Sequence, residues 1–415
     1  MLLLVNIILL LALIVGGYWF SASKSELYKY YWPGLIFKLT MGICLGLVYS
    51  IYYSGGDTWT FFGEAIKLGK VAFTSFDSLI NIYFKDNYSL ITNYSYSLQP
   101  RAAFMTKILA PLTIITDNNY WLTSCYISLF SFMGYWILAN NLYKILGVRW
   151  MAVIPTLFFP SIVFWSSGVM KESVAMGAMA AVVGIFIKIY LEKKVALSEL
   201  FVLVLGLILL LFLKYYFAAI LIVSILSLFL SRLTIPVKVN WLIEIGLIFT
   251  IFVLILIIAS FTHPNFYPPR ILFVLVENYK AYHAASNGNN VVVFNNLAPD
   301  IASFLVHAPK ALLSGMFSPL WYADFTIFRV LAVVENWVIL LVFLFSLKYL
   351  ALPKNRDLRI LVLTAVLFII ISAIFITFST PNLGTLTRYK IGYSVVFIVL
   401  VTTLLRNKMD SKILK

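Results

Sequence analysis

Long apolar stretches recur from one end of this chain to the other, and they constrain its fold more than any other feature. A helix needs roughly 18 or more mostly apolar residues to cross about 30 Å of hydrocarbon. Several stretches exceed this length, and the sequence predicts about eleven spans in all. The predicted spans are residues 2–20, 34–52, 120–140, 150–165, 173–190, 197–213, 216–231, 241–261, 330–347, 359–378 and 390–405.

The prediction is therefore an all-α, polytopic bundle of transmembrane helices forming a single integral membrane domain over residues 1–415. A further helix is expected at 101–116, crossing or re-entrant. Only 11% of the 415 residues are charged and 62% are hydrophobic, whereas soluble domains average about 25% charged residues. The first segment lacks the basic start and the cleavage site of a signal peptide, so we expect it to be retained.

Basic residues indicate the orientation of the spans. Alternating the spans collects most basic residues of the short loops on one side, which the positive-inside rule assigns to the cytoplasm. They are Lys24, Lys29, Lys38, Lys144, Arg149, Arg232, Lys238 and those of residues 188–194, 348–359 and 406–415. The N-terminus is then outside and the C-terminus inside. The net charge of +15 is explained by anchoring and contact with membrane lipids, and it does not predict nucleic-acid binding.

The opposite side receives two long segments, residues 53–119 and 262–329. Asp57 follows the second span directly, after two glycines that allow a sharp turn. The next residues place Trp59, Phe62, Ile66 and Phe73 on one face of a helix, which predicts an amphipathic helix lying on the lipid surface. Asp57 is interpreted either as a catalytic or binding carboxylate beside the headgroups or as a simple cap of this helix.

A second group of polar residues lies where a proline-broken helix turns and restarts. Ser166, Ser167 and a glycine form the corner, and Lys171 and Glu172 open the next helix. Backbone donors at a helix start favour anions, so this corner is a candidate phosphate site; an ion pair reaching water at a helix end is the alternative. Lys214 is the lone charge of a long apolar run and is expected at the outer interface or in a cavity.

The second outer segment carries Arg270, Trp321 and three histidines, His263, His283 and His307. Its proline and aromatic content is typical of a lid facing carbohydrate or lipid. The histidines lack the spacing of a metal motif, and Cys44 and Cys125 lie in apolar helices without a Cys-x-x-Cys pattern. No cofactor is predicted, and a divalent metal is not supported by ligand spacing.

Charged residues also surround the last outer turn. Glu335 lies inside a membrane helix, where a carboxylate should be paired, and Arg329 or Arg388 is the expected partner. Arg388 and Lys390 oppose the topological bias, and Asn382 precedes them. A guanidinium binds phosphate in bidentate fashion and lysine acts as a point charge, so the two could hold a lipid-linked phosphate or pyrophosphate. Contact with lipid headgroups is the alternative.

The Gly-Gly-Asp-Thr-Trp sequence at 55–59 resembles the first outer loop of GT-C glycosyltransferases. The stretch at 159–173, the Pro-Leu-Trp and Glu-Asn sequences and the turn at 379–390 are similar to multi-spanning proteins of bacterial surface-polysaccharide pathways. The resemblance implies that Asp57 matches the acid of that loop and that Arg388 contacts the lipid phosphate. Many GT-C loops carry two neighbouring acids, whereas the next acid here is Glu64.

The GT-C resemblance implies a membrane enzyme at the periplasmic face of a bacterial cytoplasmic membrane. Its partners would be a polyprenyl-phosphate-linked sugar donor and a glycan, lipid or protein acceptor. No nucleotide-binding fingerprint is evident. Two alternatives stay open: a polysaccharide polymerase of the O-antigen type, which depends more on arginines than on an acidic base, and a transporter or flippase of polysaccharide or lipid, although the chain shows no internal repeat.

Overall fold

The computed structural model describes residues 2–53, 55–192, 194–236, 238–262, 264–286, 290–322 and 326–413. These residues form helices joined by loops and contain no β-strand. Within them, eight helices are long and apolar enough to cross a membrane, or nine if one bent pair is counted as a single span. The predicted all-α, polytopic architecture is confirmed.

The chain forms two compact units, Met1–Tyr216 and Phe217–Lys415. The helices of the first unit are α1 (Leu2–Gly17), α2 (Tyr31–Leu47), α3 (Asp57–Ala72), α4 (Phe76–Tyr83), α5 (Pro100–Ile115), α6 (Tyr120–Leu146), α7 (Arg149–Val153), α8 (Pro160–Trp165) and α9 (Lys171–Glu192). Helix α10 (Leu197–Thr234) contributes to both units. The second unit continues with α11 (Trp241–Ser260), α12 (Pro268–Ala285), α13 (Ile301–Phe317), α14 (Ile327–Ser346), α15 (Arg356–Ser379), α16 (Leu383–Tyr389) and α17 (Ile391–Ile413).

One predicted span is not a continuous helix. Residues 150–165 are divided into α7, a π-helical turn Ile154–Phe158 that contains Pro155, and α8, which begins at Pro160. Proline removes a backbone donor and disfavours helical geometry in the residue before it. Phe159 accordingly has an extended backbone, with φ −72° and ψ 119°. The two prolines therefore break this segment into short pieces.

Helix α10 covers two predicted spans, 197–213 and 216–231. Its 38 residues would be about 57 Å long as one straight helix, nearly twice the hydrocarbon thickness. The backbone departs from helical geometry at Lys214, with φ −144° and ψ 60°. This break falls at the turn that the sequence predicts between the two spans.

The loops predicted to share a side do meet within each unit. In the first unit, Lys144 Nζ lies 2.7 Å from Glu192 Oε1, and Lys188 Nζ lies 2.7 Å from Glu199 Oε1. In the second unit, Arg232 Nη2 lies 2.6 Å from Asp357 Oδ2. The connections after α6, α9 and α10 therefore pack beside the loops that the alternation of spans assigns to the same side.

Close packing of α6 against α9 forms the core of the first unit. A Cβ atom added at Gly134 would lie 1.9 Å from the carbonyl oxygen of Gly177, and one added at Gly177 would lie 2.6 Å from the Cα of Ser131. Small residues allow membrane helices to approach this closely. The two glycines therefore set the distance between α6 and α9.

Replacing Gly134 with alanine is expected to destabilise the first unit by about 1–3 kcal/mol, because the added methyl group must push the two backbones apart. The matched control is Gly63→Ala in α3, where an added Cβ has no neighbour within 4 Å. That change should be neutral or stabilise by up to about 1 kcal/mol. Thermal unfolding of both variants in the same detergent tests the expectation, which equal melting temperatures would contradict.

Candidate functional site

A buried ion pair joins α9 to the break in α10. Lys214 Nζ lies 2.7 Å from Glu172 Oε1, and the two side chains are 4% and 1% exposed. The Lys188–Glu199 pair joins the opposite end of α9 to the start of α10. Residues 197–213 therefore run antiparallel to α9 along its length. Lys214 thus lies at the α9 end that carries Lys171 and Glu172, as expected for an outer turn.

The Ser-Ser-Gly corner before α9 is closed by contacts within the protein. The hydroxyls of Ser166 and Ser167 donate to the carbonyl oxygens of Ile162 and Val163 at 2.5 and 2.6 Å. The backbone N–H of Gly168 donates to Ser128 Oγ at 2.9 Å, and its φ of +71° requires glycine. These donors are occupied and buried, so the corner holds the entry to α9 and does not offer them to an anion.

Lys38 is an intramembrane lysine that the sequence prediction misplaced. It was assigned to the cytoplasmic side, but it is 3% exposed and lies ten residues into the span Tyr28–Tyr52, about 15 Å along the helix. Its Nζ donates to Ser166 Oγ at 2.5 Å and lies 4.7 Å from the ring centre of Tyr135. The sequence did contain a signal for its burial: Lys38 is the lone charge of an apolar run, and ionisable residues at membrane depth usually face the protein interior.

Asp57 is the first residue of α3 and is exposed. Gly56, with φ +87°, occupies the position before the helix, so Asp57 is not its N-cap residue. A carboxylate in the first turn is favoured by the helix dipole. Asp57 is therefore the first helical residue, next to the N-cap position, and its side chain lies at the surface of the unit.

The structure brings Lys171 close to the helix that carries Asp57. Phe61 lies one turn after Asp57 on the same face of α3. Its ring centre is 5.1 Å from Lys171 Nζ and 5.1 Å from the ring of Tyr96. Burial raises the pKa of Tyr96, and the negative charges of Asp57 and Glu64 raise it further. Tyr96 and Lys171 thus both contact Phe61, one helical turn from Asp57.

Arg101 extends this group and was not singled out by sequence reasoning. It lies in the first turn of α5, is exposed, and its guanidinium carbon is 5.4 Å from the ring centre of Tyr215, the neighbour of Lys214. The start of α5 is tied to Tyr96, whose carbonyl accepts from the Gln99 N–H at 3.0 Å. Contacts and chain neighbours thus lead from Phe61 to Lys171, then through Lys214 and Tyr215 to Arg101, and through Tyr96 back to Phe61. We call the following six residues the unit 1 cluster: Asp57, Tyr96, Arg101, Lys171, Glu172 and Lys214.

Glu64, the next acid after Asp57, has a structural role. It is 5% exposed and accepts hydrogen bonds from Lys67 Nζ at 2.8 Å and from the Ser95 N–H and hydroxyl at 3.1 and 3.0 Å. A carboxylate bonded in this way is committed to holding α3 against the loop before α5. It is not a second exposed acid beside Asp57.

The apolar side of α3 is largely covered by protein, while Phe73, just after the helix, is 45% exposed. Phe61, Phe62 and Leu68 are buried where α3 packs against α5, and Trp59 stacks on Tyr120 with ring centres 3.9 Å apart. The pattern predicted an apolar face correctly, but the period of a helix does not distinguish lipid from a neighbouring helix. Asp57 is therefore positioned by packing of α3 on α5 and α6.

Lys107 fastens the same region through an ion pair with Asp86, with Nζ and Oδ1 2.7 Å apart. The hydrogen bond from Lys107 is the largest influence on the pKa of Asp86 and holds it below 3.8. A carboxyl group with a lowered pKa stabilises the fold above its unfolded pKa, and this contribution is lost as the pH falls through the folded value.

Asp86→Asn should therefore lower stability at pH 6 by about 0.5–1 kcal/mol, a small effect because the Asp86 side chain is 73% exposed. The difference from the wild type should shrink toward zero as the pH falls below 3.8. Unfolding of both proteins in detergent across this range tests the sign. A difference that stays constant or grows on acidification would refute it.

Lys390 in the second unit is buried and bonded within the protein, and its predicted contact with phosphate stays a prediction. It lies at the 65° bend between α16 and α17 and is 2% exposed. Its Nζ donates to the Ser318 carbonyl at 3.1 Å and to Asn336 Oδ1, while Asn336 Nδ2 donates to the Pro319 carbonyl at 3.0 Å. Glu335 interacts electrostatically with Lys390. The lysine thus ties the bend to α14 and to the end of α13.

The other residues of the last turn are also held within the second unit. Asn382 caps α16 by accepting from the Thr385 N–H at 3.1 Å, and it donates to Ser286 Oγ at 2.7 Å. Arg388 is 8% exposed, with its guanidinium carbon 5.7 Å from the Tyr389 ring centre. Arg329 lies over Tyr322 at 5.3 Å. Pairing of Glu335 with Arg329 or Arg388 stays a prediction.

The remaining predicted residues of the second outer segment are dispersed. Arg270 opens α12 and is exposed, and Trp321 is 66% exposed. Both ring nitrogens of His307 contact backbone carbonyls, of Ser303 at 2.7 Å and Asn295 at 3.0 Å. His263 and residues 287–289 lie outside the described residues. Within the described ranges, no group of three histidine, cysteine or acidic residues could hold a metal ion.

No protein-family model, curated protein or solved structure matches this chain.

Proposed function

We propose that this protein is a membrane glycosyltransferase of the GT-C type, which transfers a sugar from a polyprenyl-phosphate-linked donor to a glycan, lipid or protein acceptor. The observation that carries the proposal is the position of Asp57. An exposed carboxylate lies one helical turn from Phe61, which Lys171 contacts. In this proposal Asp57 is the base for an acceptor hydroxyl, and Lys171 is the cation for the phosphate.

The proposed reaction is a displacement at the anomeric carbon of the donor. Asp57 accepts the proton of the acceptor hydroxyl as that oxygen bonds to the anomeric carbon. The bond from this carbon to the phosphate oxygen breaks, and the bonding electrons leave with the phosphate. In the proposal Lys171 and Arg101 stabilise the growing negative charge, since cations preorganised around a leaving phosphate act mainly in the transition state.

The buried Glu172–Lys214 pair has a supporting role in this proposal. Its two groups are too buried to contact a donor, but Glu172 directly follows Lys171 in α9. Fixing Glu172 therefore fixes the backbone of Lys171. The GT-C resemblance implies that Arg388 contacts the phosphate. Arg388 is buried, however, whereas Arg101 is exposed and therefore more accessible.

A transporter or flippase is the second candidate, and the interrupted helices favour it. Transporters often place charged groups on broken helices. Here α10 is broken at Lys214 and the α16–α17 pair is bent at Lys390. Lys38 adds a cation at membrane depth.

A polymerase of the O-antigen type is a further alternative. It would use arginines such as Arg101 or Arg388 and would not need Asp57.

Sugar transfer by the purified protein in nanodiscs tests the proposal. Wild-type protein is incubated with a panel of polyprenyl-phosphate-linked sugars and acceptors, and products are identified by mass spectrometry. Lys171→Met should lower kcat about 100-fold, whereas the exposed Lys194→Met should leave turnover unchanged. Absence of transfer from every donor, together with movement of a labelled polyprenyl-linked sugar across liposome membranes, would favour transport instead.

A further inference from the structure

Helix α4 is fastened to the protein along one side. Ile82 is fully buried. The Tyr83 hydroxyl donates to the Lys107 carbonyl at 2.9 Å, and Lys107 Nζ donates to the Tyr83 carbonyl at 3.0 Å. This reciprocal pair of bonds joins the end of α4 to α5. The orientation of α4 is therefore fixed by contacts and does not depend on anything outside the unit.

The segment from the end of α3 to the end of α4 exposes three phenylalanines. Phe76 is 78% exposed, Phe84 is 79% exposed and Phe73, just before the helix, is 45% exposed. The rings of Phe73 and Tyr83 lie 6.1 Å apart, Phe76 is the first residue of α4 and Phe84 directly follows the helix. We call Phe73, Phe76 and Phe84 the phenylalanine patch. Large apolar side chains exposed together in one short segment point to contact with a partner or a membrane.

The position of this segment in the chain identifies the partner. Residues 55–119 leave one candidate span at Tyr52 and enter the next at Tyr120. Trp59 Nε1 donates to the Gly46 carbonyl of the first of these spans at 3.1 Å, so α3 stays beside the membrane helices. Both ends of the segment are thus held at the bilayer surface, within reach of its lipids.

The charges around the phenylalanine patch suit an anionic bilayer surface. Lys70 lies one turn before Phe73 and Lys85 follows Phe84, and both side chains are exposed. Neither forms an ion pair within the described residues. Asp77 is the single acid of α4 and is also exposed. Two free lysines beside exposed aromatic rings are typical of helices that lie in a membrane interface.

We infer that α4 is an in-plane membrane anchor, which inserts the phenylalanine patch into the boundary of headgroups and acyl chains and places Lys70 and Lys85 among anionic headgroups. The inference is independent of the proposed glycosyl transfer. It also assigns the lipid contact of this segment to α4 and to Phe73, because the buried residues of α3 lie where it packs against α5.

Site-directed spin labelling in nanodiscs containing phosphatidylglycerol tests this inference. Cys44 and Cys125 are first replaced with alanine, and a nitroxide is attached at Phe84→Cys, at Phe76→Cys or at Thr92→Cys, an exposed polar position of the same segment. Collisions with oxygen, which concentrates in lipid, are compared with collisions with a water-soluble nickel chelate. Sugar transfer is not measured, so the result does not depend on the proposed enzyme activity.

The labels at positions 76 and 84 should collide more with oxygen than with the nickel chelate, and the label at position 92 should show the reverse. Lys70→Glu combined with Lys85→Glu should shift the label at position 84 toward nickel access in the anionic nanodiscs. A label at position 84 that prefers the nickel chelate in every lipid would overturn the inference. Protection of positions 76 and 84 from both reagents would also overturn it, because a protein surface would then cover the patch.

Discussion

Replacing Lys214 with methionine is expected to lower the free energy of unfolding by about 3–5 kcal/mol, the largest stability effect of any change considered for this protein. The substitution leaves the Glu172 carboxylate, with a side chain 1% exposed, facing an apolar side chain. A buried charge without its counter-ion is strongly destabilising, because it has lost its hydration and gained no compensating interaction. Thermal unfolding in detergent, with elution from a size-exclusion column as a single peak as a check of folding, measures the loss.

Two further variants separate the ion pair from other causes. Lys214→Met combined with Glu172→Gln removes both charges and should recover more than half of the loss, because no uncompensated charge remains. Lys144→Met breaks the exposed pair with Glu192, whose side chains are 49% and 39% exposed, and should cost no more than about 1 kcal/mol. If the double variant were less stable than Lys214→Met alone, the buried charge would not be the cause.

Much of the fold was predictable because a run of apolar residues that forms a membrane helix can be recognised from neighbouring residues alone. The predicted span 241–261 corresponds to α11, Trp241–Ser260, within one residue. The predicted span 120–140 was too short, since α6 continues to Leu146 and ends where Gly147 adopts the left-handed conformation with φ +66°. Polar residues at the end of a membrane helix lower its hydropathy without ending its backbone hydrogen bonds. Glycine in this conformation is the usual stop signal of a helix.

The candidate site was only partly predictable. The charges at Asp57, Lys171 and Lys214 were apparent because each opposes the local pattern of the sequence. Their partners were not, since the contact of Lys171 with Phe61 and the hydrogen bond of Lys38 to Ser166 join residues more than 100 positions apart. The partner of Lys390 could not be predicted either. Lys390 is a candidate phosphate ligand by its charge alone, but in the structure it donates to Asn336, 54 positions away.

Asp57→Asn is expected to reduce kcat for sugar transfer by about 100- to 10,000-fold, the range for loss of a general base. Asparagine keeps the size of the side chain but cannot accept the proton of the acceptor hydroxyl. Because Asp57 is exposed, stability should change by no more than about 0.5 kcal/mol. Asp77→Asn is the matched control: it also changes an exposed acid in the first turn of a helix of the same segment, and it should retain full activity.

The measurement that tests the central claim most directly is the initial rate of transfer by folded wild-type and Asp57→Asn protein in nanodiscs, at saturating donor and acceptor. The account predicts transfer by the wild type and by Asp77→Asn, with at least a 100-fold loss in Asp57→Asn and no change in its melting temperature. Full activity of a folded Asp57→Asn protein would contradict the general-base role. Combined with loss of activity in Arg101→Ala or Arg388→Ala, that result would instead indicate an arginine-dependent polymerase.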